Sequence, residues 1–197
     1  QFDVGIGTAI SNVAEWGGFN FTFIIATWIS LAANSIYGYA IQIIGLCFMF
    51  YLGIGSATSV RVAEAFGRGN NEEIRDAGRL GVAATILVGV FLGIVLVLFH
   101  GPISRLLVRP DAVLNGIVLA PAIASLLFLA AAASILDGLQ ATASMALRAQ
   151  ETVWSPGIIH IGSFFFAMIP SCYFLGLVAG RGAQGMMEGA FIGMAIA

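Results

Sequence analysis

The chain has 197 residues, 59% hydrophobic and 9% charged, with a mean hydropathy of +0.99 and a net charge of −2. A soluble domain carries about 25% charged residues, and a core this small cannot hide the surplus apolar surface, so a water-soluble globule is excluded. All eight cationic side chains are arginines and the balance is slightly acidic, which leaves no footprint for nucleic acid.

The apolar runs are too long for strands and lack the ten-residue alternation of a membrane barrel. The expected fold class is therefore all-α, a polytopic transmembrane helix bundle with five complete spans and a truncated sixth. The first span runs over about 4–32. Thr8, Ser11, Asn12, Glu15 and Thr22 recur along it at helical spacing, with Gly18 on the small-residue side and Asn20 a further cavity-lining candidate. A polar break at Asn34-Ser35 and Tyr37-Gly38 predicts a tight hairpin into the second span, about 36–60, which carries Gln42. Arg61 to Arg79 is the one clearly aqueous stretch. Arg61, Glu64 and Arg68 share a helix face, Gly69-Asn70 stops that helix, and Asn70 with Glu73 fits a capping box for the next.

The third span, about 80–100, ends at His100 beside Gly101-Pro102, an interfacial position. The fourth, about 112–147, bears Ser134, Asp137, Gln140 and Ser144 on one stripe. The fifth, about 153–178, contains His160, a possible proton relay with no acid near it in sequence. Pro156 and Pro170 are kinks that neighbouring helices tolerate there. Residues 183–197 begin a sixth span, so the sequence reads as a piece of a longer polypeptide. Cys47 and Cys172 lie inside apolar runs and read as small buried hydrophobes, and 25 glycines predict close helix packing.

Two acids stand out. From Glu15 the chain carries no further charge until Arg61, and Asp137 is preceded by uncharged sequence back to Asp111. A carboxylate near mid-bilayer costs roughly 2.5–3.5 kcal/mol on insertion scales, so it faces a wet cavity, a partner or an ion. With the 61–79 connection placed inside, five arginines (61, 68, 75, 79 and 148) face Arg105, Arg109 and Arg181 outside, an orientation that favours the positive-inside rule. At about 1.5 Å per residue, both acids then sit roughly 15–18 Å from the same membrane face. Carboxylate, amide and hydroxyl oxygens suit a hard cation, and a buried carboxyl also carries a proton. Glu15 and Asp137 are the candidate cation-coupling pair and the ligands of a Na⁺ if that is the coupling ion. Asn12, Asn20, Asn34, Gln42, Gln140 and Ser144 are the candidate cavity-lining residues. No phosphate-binding loop, metal-binding CxxC or HExxH motif, or Ser/His/Asp arrangement is present, so neither enzymatic chemistry nor a cofactor beyond the coupling ion is expected.

Residues 53–70, GIGSATSVRVAEAFGRGN, resemble the signature closing the eighth transmembrane helix of multidrug and toxic compound extrusion (MATE) transporters. Residues 137–148, DGLQATASMALR, resemble the end of that family's tenth helix, and Pro170 with Tyr173 a motif of its eleventh. The resemblance implies one lobe, the C-terminal, of a twelve-helix two-lobe transporter that exports cationic amphipathic compounds in exchange for Na⁺ or H⁺. It implies as partners the lipid bilayer, the N-terminal lobe and a small cationic organic substrate, and as location a bacterial inner membrane. Glu15 and Asp137 match the acids of that family's seventh and tenth helices. The sequence departs from the family's pattern at Ala133, Asn34 and Tyr51, where one branch has Tyr, His and Pro. Two other readings compete: a lipid-linked oligosaccharide flippase, against which the lack of a mid-span arginine argues, and a non-transporting scaffold whose acids are met by interhelical hydrogen bonds.

Overall fold

The computed structural model describes residues 2–197, with side chains from residue 5 onward. Long apolar helices dominate: α1 (Phe2–Ile29), α2 (Leu31–Gly67), α3 (Asn71–Leu98), the short α4 (His100–Leu107), α5 (Leu119–Arg148), α6 (Trp154–Val178) and α7 (Gly182–Ile196). Four of them (α2, α3, α5 and α6) are long and apolar enough to cross a membrane. α1 matches them in length, but Asn12, Glu15 and Asn20 lower its apolar character. Large hydrophobics crowd the outer surface, among them Leu87 at 73% exposure and Phe166 at 78%. The chain is an integral membrane helix bundle, since only lipid or protein covers such a surface.

The turn between α1 and α2 falls at Ser30, not at Asn34-Ser35 as the polar break suggests. Ser30 is extended, and its hydroxyl accepts from the amide of Ala33, capping α2. Asn34 and Tyr37 are already inside the helix. The fourth span also starts later than the sequence suggests: residues 113–118 form a two-residue β-hairpin, β1 (Val113–Leu114) against β2 (Ile117–Val118). Asn115 and Gly116 hold its turn at positive φ (50° and 77°), where Asn-Gly is favoured. The Asn115 carboxamide oxygen accepts from the Ala32 amide, so the hairpin tip caps α2 across the structure.

At the opposite end, Gly69 adopts φ 67° and Asn70 caps α3, accepting from Glu72 and Glu73. The Glu73 carboxylate does not complete a capping box; it pairs with Arg68 at 2.5 Å.

The core lies along α2 and α5, which pack over most of their lengths and are flanked by α3. Tyr51 of α2 lies over Gly138 of α5, where a Cβ would enter its ring. Thr85 and Thr142 bridge α3 and α5 at 2.8 Å, and Thr22 and Tyr37 bridge α1 and α2 at 2.9 Å. α7 packs on α6 through Gly185, Gly189 and Gly193, whose missing side chains admit the backbone of Leu175, the backbone of Cys172 and the side chain of Met168. α6 is irregular: Ile161–Met168 and Tyr173–Val178 are π-helical. α1 leans against α6 and α2, which brings its first half beside the end of α5.

Candidate functional site

Three helices meet at this junction. On α1, Ser11 is fully buried and Glu15, one turn on, is half-buried, while Asn12 points outward. On α5, Ser134, Asp137, Gln140 and Ser144 are all buried, Asp137 at 4% exposure. α6 contributes His160, also buried.

His160 is the hub. Its Nδ1 lies 2.8 Å from the Ser11 hydroxyl and its Nε2 lies 3.2 Å from the Ser144 hydroxyl. Arg148, one turn beyond Ser144, donates from a terminal nitrogen to Ser11 Oγ at 2.8 Å. A guanidinium only donates, so Ser11 accepts there and has its own hydrogen free for Nδ1. A neutral imidazole carrying its hydrogen on Nε2, donating to Ser144, satisfies the whole chain. The sequence places no acid near His160, and the partners it meets, Ser11 and Ser144, stand 149 and 16 residues away.

The acids are less well served. Asp137 receives one hydrogen bond, from Gln140 Nε2 to Oδ1 at 3.2 Å. Among the described residues none donates to Glu15. The two carboxylates lie within electrostatic reach of each other, and Glu15 within that of Arg148, with no ion pair formed. Among the described residues, the buried Gln140 Oε1 and Arg148 Nε meet no partner. The junction thus gathers two under-bonded acids, a spare carbonyl oxygen and a cation with unused donors. Among the described residues no group of three or more His, Cys, Asp or Glu forms a metal centre, so any metal ion here would rest on the carboxylates plus neutral oxygens.

The remaining candidates lie elsewhere. Asn20 is exposed and returns its amide to the Trp16 carbonyl. Gln42 is exposed on α2. Asn34 is half-buried at the far end of α2, with a buried carboxamide oxygen that lacks a partner. His100 binds the Val97 carbonyl at the start of α4.

The MatE family model matches residues 8–174, a range that contains every side chain of this junction. The chain belongs to the MatE family. It is 30% identical to a probable multidrug resistance protein NorM of Caulobacter vibrioides over 95% of its own length, and 31% identical to another of Synechococcus over 98%. It spans 38% and 42% of those two proteins, the extent of one lobe. A crystal structure of a MATE mutant superposes with a TM-score of 0.88 at 17% identity, covering 98% of this chain and 42% of the other. That likeness shows the fold, that of one lobe of the helical bundle.

Proposed function

We propose that this chain is the C-terminal lobe of a cation-coupled antiporter of a bacterial inner membrane, driven by Na⁺ or H⁺ and exporting cationic amphipathic drugs or metabolites. The multidrug-resistance names of its relatives support the cargo class. One observation carries the coupling: among the described residues, Asp137 is 4% exposed with a single side-chain hydrogen bond and lies within electrostatic reach of a second acid to which nothing donates. Two under-compensated carboxylates within electrostatic reach of each other are costly when both are ionised, and a proton or a metal cation bound at the pair offsets that cost. A scaffold would meet each acid with donors; here Asp137 receives one, from Gln140, and the Arg148 guanidinium donates to Ser11 rather than to Glu15.

Cation binding that neutralises the pair changes which packing of α1 against α5 is favoured, and only such differential affinity drives a conformational cycle. Efflux of ethidium from vesicles containing the full-length protein tests this. Glu15→Gln and Asp137→Asn are each expected to abolish cation-driven efflux while the protein stays folded. Wild-type rates in both variants would remove the mechanism.

A further inference from the structure

Arg148 stands out from the other seven arginines. It reaches inward from the last turn of α5 and, among the described residues, makes one side-chain hydrogen bond, to Ser11, while its buried Nε meets no acceptor. Among the described residues, the charged or titratable groups that face it are Glu15 from α1 and His160 from α6. Ser11 and Glu15 are four residues apart, so they share a face of α1 about 6 Å apart along the axis. A guanidinium has five donors in a fork that matches a carboxylate; here it sits on a neutral hydroxyl one turn from a carboxylate to which no described residue donates.

We infer that Arg148 is a built-in rival of the coupling cation, with two seats one turn apart on α1: the Ser11 hydroxyl, held ready by His160, and the Glu15 carboxylate. Loading Glu15 with a cation leaves Arg148 on Ser11, and release of the cation frees Glu15 to take the guanidinium. The exchange keeps the acid compensated throughout, so an empty site need not hold a bare buried anion. It also links the cation to the junction of α1, α5 and α6, because Arg148 on Ser11 ties α5 to α1 and, through His160, to α6. The inference rests on Glu15 being a coupling residue, as proposed above.

Competition has a sign that a packing role lacks. Removing the rival tightens cation binding, whereas removing its resting seat drives it onto Glu15 and weakens binding. The purified full-length protein is titrated with NaCl at fixed pH and, separately, with acid at fixed ionic strength, following tryptophan fluorescence, for which Trp16 beside Glu15 is a local reporter. For the cation that gives a saturable response, Arg148→Gln is expected to lower the half-saturating concentration about tenfold, and Ser11→Ala to raise it about threefold. In a Glu15→Gln background neither change has an effect. Shifts of the same sign in the two variants, or no shift in either, overturn the rivalry even if Glu15→Gln abolishes the response. If Arg148→Gln does not fold, Ser11→Ala decides alone: unchanged or tighter binding overturns the inference. A wild-type protein that answers neither cation overturns the coupling reading itself.

Discussion

Two regions of this bundle solve helix packing in opposite ways. Along the seam of α6 and α7, glycines at 185, 189 and 193 let backbones touch, and the only described side-chain hydrogen bond across it is from Cys172 Sγ to the Met186 carbonyl at 3.2 Å. At the junction of α1, α5 and α6 the same α6 is held by hydroxyls, an imidazole and a guanidinium, with two acids beside them. The first arrangement tolerates one geometry. The second joins its helices through polar groups beside two under-bonded acids, and in a membrane, where helices gain little from hiding apolar surface from each other, under the function proposed above that difference is one between a fixed joint and a movable one.

The contrast is open to measurement. Gly189→Leu is expected to have the largest effect, because the new side chain must enter the Cys172 backbone; a loss of about 3 kcal/mol or more would appear in size-exclusion chromatography as aggregated rather than monodisperse protein. His160→Ala strips partners from Ser11 and Ser144 and leaves a void, at a cost of about 2–3 kcal/mol, read as a lowered midpoint in thermal unfolding. Thr142→Val removes the bridge to Thr85 and costs about 1 kcal/mol, detectable in the same assay. Asp137→Asn falls last and tests the comparison most sharply. Removing an under-compensated buried acid leaves the midpoint unchanged or raises it, although transport is lost. A marked drop there would mean that the junction is a fixed joint as well.

Much of the architecture was legible because lipid imposes long apolar runs. Asn70 and Gly69 stop α2 and start α3 where the local pattern places them, since capping is a matter of a few neighbouring residues. Other local signals were present and outweighed: Asn115-Gly116 is a hairpin dipeptide inside an apolar stretch, and Ser30 is a cap next to the more conspicuous Asn34. Glu15 and Asp137 drew attention as isolated charges, but which neighbours they meet is a property of packing. The stripe on α1 divides, with Ser11 buried and Asn12 outward, because successive residues of a helix are turned about 100° from each other. His160 shows the limit most clearly. Its chemistry depends on a serine at the far end of the chain, and no spacing rule joins residues 11 and 160.

The π-helical stretches of α6 have a consequence for how the two regions coexist. Each wide turn accommodates residues that an α-helix would have to rotate away, by about 100° for every residue gained or lost. His160 stands before the first such stretch and Cys172 between the two. The first of these stretches, which alone separates the two residues, therefore acts as a phase shifter, aiming the imidazole at α5 while presenting Cys172 to Gly189 of α7. A single-residue deletion among Phe164, Phe165 and Phe166 would turn the two sides of that stretch by about 100° relative to each other and leave one of the two interfaces facing the wrong way.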